Sequence, residues 1–136
     1  MISKQVISSD DAFQILQAAQ QEASSNQWAV SIAVCDDGGH LLAFIRMPGA
    51  NLASAAISQA KAHTAAVMRR ETKGVEEMIN GGRTAFLSAP GLTGMLEGGV
   101  PIMLNGHCVG SVGVSGVKAP EDAQIAKAGA AAVAPG

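Results

Sequence analysis

His40, His63, His107, Cys35 and Cys108, together with six methionines, are the side chains of this sequence that could hold a metal or move a proton. Their spacing matches none of the zinc patterns. There is no CxxC, no HExxH, no Walker A loop and no G-x-S-x-G elbow. Ser115, in Val114-Ser115-Gly116, sits where a strand gives way to a loop and reads as turn chemistry rather than as a nucleophile. His107 and Cys108 are adjacent on a predicted strand, so they point to opposite faces and cannot ligate one ion within a single chain. Cys108 is expected to be a small buried residue.

A group that needs only one or two protein donors is compatible with this set. Haem iron takes axial ligands from His, Cys, Met or Tyr, and the chain has the first three and no Tyr. Cationic partners for propionates are available at Arg46, Lys61, Arg69, Arg70 and Arg83. For each histidine alone, a structural or solvated role is the alternative reading.

Seven elements, three helices and four strands, and one long loop must position these side chains. Ser8 and Ser9 precede Asp10 and Asp11, then Ala12, Ile15, Leu16, Ala19 and Ala23 recur at helical spacing, which predicts a helix over Ser9 to Ser25. Val30 to Cys35 and His40 to Arg46 read as two strands joined by the turn Asp36-Asp37-Gly38-Gly39. A second helix is expected from near Asn51, with Ala53, Ala56, Ile57, Ala60, Thr64, Val67 and Met68 as its apolar stripe. Counting from Ala53, Lys61 falls at about 80° and His63 at about 280°, on opposite edges of that stripe, where they could line a pocket or face water. Gly74 is expected to end or interrupt the helix, and Val75 to Ile79 to add a short helical turn.

Asn80 to Gly99 is rich in glycine and has no sustained period, so it reads as a long loop, either functional or a meandering connection. Pro101 to Leu104 and His107 to Ser115 form a hairpin around Asn105-Gly106, pairing His107 with Leu104 and Cys108 with Met103. Gly110, Gly113 and Gly116 in the last strand mark close approach of another backbone or a ligand. Pro120, Glu121 and Asp122 open a last helix running to about Ala132. Two hairpins imply a largely antiparallel sheet with helices over its apolar faces, within one domain spanning 1–136.

Composition excludes several functions. The 136 residues suit one hydrophobic core, and much of the 48% hydrophobic content is Ala, so the elements must pack closely or gain buried area by oligomerisation. A net charge of −2 and 3% aromatics give neither attraction nor stacking platforms for nucleic acid. No run approaches the ~18 apolar residues that span a bilayer. Met1-Ile2-Ser3-Lys4-Gln5 lacks a signal-peptide apolar region. The chain is therefore expected to be cytoplasmic, with Cys35 and Cys108 as thiols.

Three stretches in order, Asp36 to Met47 (DDGGHLLAFIRM), Gln59 to Thr72 (QAKAHTAAVMRRET) and Gly98 to Gly116 (GGVPIMLNGHCVGSVGVSG), followed by Asp122 to Ala128 (DAQIAKA), resemble the GlcG/HbpS family. The sequence also resembles the C-terminal domain of the corrinoid adenosyltransferase PduO. The resemblance covers nearly the whole chain. It implies a profilin-like α/β sandwich with an antiparallel sheet and homo-oligomers. Some members bind haem and are labelled haem-degrading, while others sit beside glycolate, diol or glycerol metabolism. Secreted relatives that sense haem carry a signal peptide, and this sequence shows none.

The family supplies no ligand motif that can be placed residue by residue, so the ligand assignments are inferences from the residues themselves. The first reading is a haem- or tetrapyrrole-binding protein, with His40 or His63 as the metal ligand and Arg46 and Lys61 meeting the propionates. A second is an accessory protein of cobalamin-dependent diol or glycerol dehydratase metabolism, which rests on the resemblance alone. A third is an enzyme acting on a small hydroxy acid, in which Arg46 or Lys61 binds a carboxylate and His40 or Glu97 moves a proton. Partners are then a small-molecule or tetrapyrrole ligand and further copies of the chain.

Overall fold

Ser8 opens the first helix, α1 (Ser9–Ser25), as its position predicts. Its hydroxyl accepts from the Asp11 amide at 3.2 Å, and the Asp11 carboxylate accepts from the Ser8 amide at 2.8 Å. Two amides that a helix start leaves without partners are thereby satisfied. The computed structural model describes residues 1–133. Residues 134–136, the end of the expected domain, lie outside the described residues.

Four strands follow the two expected hairpins: β1 (Ser31–Asp36), β2 (Leu41–Arg46), β3 (Gly99–Leu104) and β4 (His107–Ser115). They form one antiparallel sheet in the order β2-β1-β4-β3. Asn105 and Gly106 both have positive φ, at 52° and 79°, as the tight two-residue turn requires. Leu104 pairs with His107 and Met103 with Cys108, as the turn predicts. The register then slips, so that Ile102 pairs with Gly110. That bulge gives the core position to Val109 and leaves Cys108 half-buried, which corrects the expectation of a buried thiol.

The two faces of the sheet are built differently. α1 and α4 (Ala119–Ala130) cover one face, where Ile15, Ile32, Val34, Val112, Val114 and Ile125 form the main core. The other face presents Ser31, Ala33, Cys35, Ser111 and Gly113 to α2 (Ser54–Met68). At Gly113 a Cβ would lie 2.1 Å from the Ser58 carbonyl oxygen and 2.4 Å from the Ala62 nitrogen. The helix backbone therefore rests on the strand backbone, and only glycine fits between them.

This contact overturns the expected orientation of α2. The face turned to the sheet is Ser54, Ser58, Lys61, Ala62 and Ala65, not the expected stripe of Ala53, Ala56, Ile57, Ala60, Thr64, Val67 and Met68, of which only Thr64 is fully buried. Ala53, Ala56 and Val67 are exposed. Small side chains permit the close approach, and the bulkier apolar ones are turned away. The helix is set off near Asn51, as expected: the Asn51 side chain accepts from the Ser54 amide at 2.9 Å, and the regular helix runs from Ser54. It ends at Met68 through a left-handed Arg69 (φ 57°), not at Gly74. Gly74 lies inside a separate helix, α3 (Thr72–Asn80), longer than the short turn expected over Val75 to Ile79.

The glycine-rich stretch after α3 holds one 3-10 turn, Thr84–Ser88. It is pinned to the body where Thr64 Oγ1 donates to the Thr93 carbonyl and Thr72 Oγ1 to the Leu96 carbonyl, each at 2.5 Å. Among the described residues, no helix is long and apolar enough to cross a membrane.

Candidate functional site

α2 lies over β4, β1 and β3 and leaves the edge strand β2 largely uncovered on its side of the sheet. Residues opposite one another in an antiparallel pair share a face. Leu41 pairs with Cys35, Phe44 with Ala33 and Arg46 with Ser31, all on the α2 face. Leu41 is 47% exposed, Phe44 is half-buried and Arg46 is exposed. The result is an apolar strip beside α2, with Arg46 at one end and the β1–β2 turn at the other.

That turn brings two histidines to the same end. Asp36 Oδ1 accepts from the Gly38 and His40 amides, both at 2.9 Å, which closes the turn on itself. His40 projects into water with 81% of its side chain exposed, its Nδ1 3.4 Å from Asp36 Oδ1. His63, half-buried on α2, has Nδ1 3.0 Å from the Gly39 carbonyl oxygen. Further ties hold the turn from both sides. Lys4 Nζ donates to Asp37 Oδ2 at 2.6 Å, and Arg69, at the end of α2, donates to the Asp37 carbonyl. The Lys4 ammonium holds the Asp37 carboxyl below the usual carboxylate range.

Lys61 is elsewhere, and its expected role in binding an external anion is corrected by its burial. Only 4% of its side chain is exposed. Its Nζ donates to the Val114 carbonyl at 2.9 Å and to Asp122 Oδ2 at 3.3 Å. The helix that carries it and the helix that carries Asp122 lie on opposite sides of the sheet, so the side chain reaches past the sheet. Gly98 leaves the passage, since a Cβ there would lie 2.7 Å from Lys61 Nζ. Burial raises the Asp122 carboxyl above its ordinary range, against the pull of Lys61 and of the Val117 amide. Lys61 is thus a strut between layers.

The structure therefore brings His40 and His63 together at one end of the strip, places Arg46 at the other end, and takes Lys61 into the interior. Among the described residues no three His, Cys, Asp or Glu side chains gather as a metal cage. A shallow groove of about 390 Å³ is lined by Arg70, Glu71, Lys73, Gly74 and Glu77. Two smaller ones, of about 270 and 310 Å³, lie against the N-terminal segment. His40, His63, Arg46 and Lys61 line none of these three. Glu97 adjoins β3 and its amide donates to Glu76. It stands beside the opposite edge strand and toward the Arg46 end of the sheet, so that three strand spacings, roughly 14 Å, separate it from β2 across the sheet and the length of β2 separates it from His40 along the strands. The hydroxy-acid reading, which needs these groups in one pocket, loses its geometric basis.

The sequence did not single out Leu41, Phe44, Asp37 or the Gly39 carbonyl as parts of a site. Strand alternation signals Phe44 and Arg46 as one face, but the slip between Val34 and Cys35 hides Leu41. A backbone carbonyl has no signature in residue types. As it stands, the strip offers a flat apolar face, an imidazole with its Nε2 free of any described hydrogen bond, and a guanidinium. This donor set suits a flat ligand carrying one metal and acidic edge groups.

The chain is similar to known proteins over most of its length. The family model described as haem degrading protein HbpS-like matches residues 7–131. The chain is 57% identical over 115 residues to Protein GlcG of Escherichia coli (strain K12), covering 85% of each. The crystal structure of HbpS superposes with a TM-score of 0.89 at 29% identity, over 98% of this chain and 94% of that one. A PduOC:heme complex superposes with a TM-score of 0.83 at 28% identity, over 96% and 97%.

Proposed function

The chain belongs to the HbpS-like family, and from that premise we propose that it is a cytoplasmic haem- or tetrapyrrole-binding protein. The observation that carries the reading is the strip of Leu41 and Phe44 on the edge strand, with imidazoles at one end and Arg46 at the other. The solved haem complex of a structural neighbour supports it. When bound, haem would supply an iron centre able to take a nitrogen base from the protein. The chain's own residues do the rest. Leu41 and Phe44 receive the apolar ring face and exclude water from it. His40 or His63 would present the base, and Arg46 would meet a propionate. Homo-oligomerisation is part of the same proposal, because an open strip leaves the second face of a flat ligand in water.

Titrating the purified chain with hemin and following the Soret band tests the reading. Saturable one-to-one uptake that weakens in Phe44→Ser and Arg46→Gln is the expected result. A spectrum that stays that of free hemin overturns it. Light scattering with and without hemin tests the assembly.

A further inference from the structure

We infer that His63, through Nε2, is the side chain of this site that ligates iron, and that the Gly39 carbonyl sets it to do so. This rests on the haem-binding reading above and goes beyond it in choosing between two imidazoles and in naming the group that prepares one of them.

The choice follows from hydrogen-bond chemistry. A carbonyl oxygen only accepts, so the 3.0 Å contact between His63 Nδ1 and the Gly39 carbonyl requires the hydrogen on Nδ1. In the neutral ring the lone pair then lies on Nε2, across the ring from that bond. Nε2 makes no hydrogen bond among the described residues. This is the arrangement that metal-binding histidines use, in which the outer bond fixes both tautomer and ring orientation and raises the basicity of the ligating nitrogen. His40 has no such preparation. Its ring is in water beside Asp36, and ordering it on a ligand would cost side-chain entropy that His63 has already lost on folding.

The carbonyl is itself held. Gly39 has φ +81°, and a Cβ there would lie 2.6 Å from His63 Nδ1. A side chain at this position is strained in its backbone and collides with the ring. Asp36 closes the turn from within, while Lys4 and Arg69 tie Asp37 to the N-terminal segment and to the end of α2. Gly39 is thus a positioning residue that acts through His63.

Hemin titrations of the whole chain and of its His63→Ala, His40→Ala and Gly39→Ala variants test this, with the Soret and visible bands as readout. His63→Ala is expected to lose at least about tenfold in affinity, and Gly39→Ala about tenfold with the imidazole still present. His40→Ala is expected to lose less affinity than His63→Ala, since its ring lies in water and is not held in one orientation. Added imidazole restoring the parent bands to His63→Ala supports the assignment and shows that this variant is folded. A readout without hemin is available: long-range ¹H–¹⁵N spectra should show His63 as the Nδ1–H tautomer in the parent, and not in Gly39→Ala. If the parent binds hemin and His63→Ala binds it equally, or if only His40→Ala loses it, the inference is overturned and the haem reading stands. If the parent takes up no hemin, the haem reading itself falls. An Nε2–H tautomer in the parent overturns the role of Gly39 whatever the binding.

Discussion

The two faces of the sheet solve the same packing problem in opposite ways. Under α1 and α4 the space is filled by Ile and Val side chains, so helices and sheet stand apart and volume is supplied by branched residues. Under α2 there is almost no space to fill. Ser31, Ala33, Ser111 and Gly113 face Ser54, Ser58 and Ala62, with Ser31 Oγ and Ser54 Oγ 2.8 Å apart and Ser111 Oγ donating to the Ala62 carbonyl at 2.6 Å. The first face depends on apolar area, the second on fit and on satisfied polar groups. The second face also carries the candidate site, since α2 presents His63 beside the strip that it leaves open. Stiff backbone-to-backbone packing is a suitable mount for a ligand that must be held in one orientation.

The largest effect should come from the polar strut that joins the faces. Lys61→Met leaves Asp122 buried without its partner and is expected to cost about 4 kcal/mol, read as a lowered denaturation midpoint. Lys61→Met combined with Asp122→Leu should recover most of that loss, because no buried charge remains. If the double variant is as unstable as the single one, the strut matters for shape and not for charge. Mild acid offers a finer reading. Burial raises the folded pKa of Asp122 above its unfolded value, so the fold binds the proton more tightly. This group's contribution to stability is therefore full below the unfolded pKa and declines as pH rises through the raised folded value. The decline should be absent in Asp122→Asn.

The next comparison sets one added carbon against one removed. Gly113→Ala puts a methyl group into the Ser58 and Ala62 backbone, which cannot yield unless α2 lifts, and should cost about 3 kcal/mol. Ile32→Val, on the opposite face of the same strand pair, removes one carbon from a core that relaxes only in part and should cost about 1 kcal/mol. Equal losses, measured in the same denaturant series, would mean that the faces do not differ in tolerance.

This asymmetry also explains what the sequence disclosed. The α1 face was legible because Ala12, Ile15, Leu16 and Ala19 are both apolar and inward, so hydrophobic period and burial coincide. The hairpins were legible because Asn105-Gly106 and Asp36 to Gly39 are turn chemistry, which acts locally. On α2 the two signals separate. Its inward face is Ser54, Ser58, Lys61, Ala62 and Ala65, so the apolar stripe pointed mostly the wrong way and put Lys61 and His63 on its opposite edges, free to line a pocket or to face water. His40, His63 and Arg46 could be named from type alone. That His40 and His63 meet at one turn, and that Lys61 reaches past the sheet, depends on pairings between residues far apart in sequence.

The smallest effect at neutral pH concerns the two thiols, which the two environments should separate. Cys35 lies on the tight face, and burial, with the Asp36 charge beside it, pushes its thiol from 9.0 up to about 11. Thiolate is the reactive form, so at pH 8 only about one Cys35 in a thousand is ionised even before access is considered. Iodoacetamide should therefore modify the half-buried Cys108 and leave Cys35 untouched in the native chain, as peptide mass mapping would show. The sign of the pH effect follows from the same shift. The unfolded thiol ionises near 9 and the folded one near 11, so the contribution of Cys35 to stability is complete below pH 9 and is lost between the two values. Cys35→Ala should flatten that alkaline decline and leave the midpoint at pH 7 nearly unchanged. Rapid native alkylation of Cys35 would show that α2 lifts from the sheet often enough to admit reagent, and the rigid mount assumed for His63 would go with it.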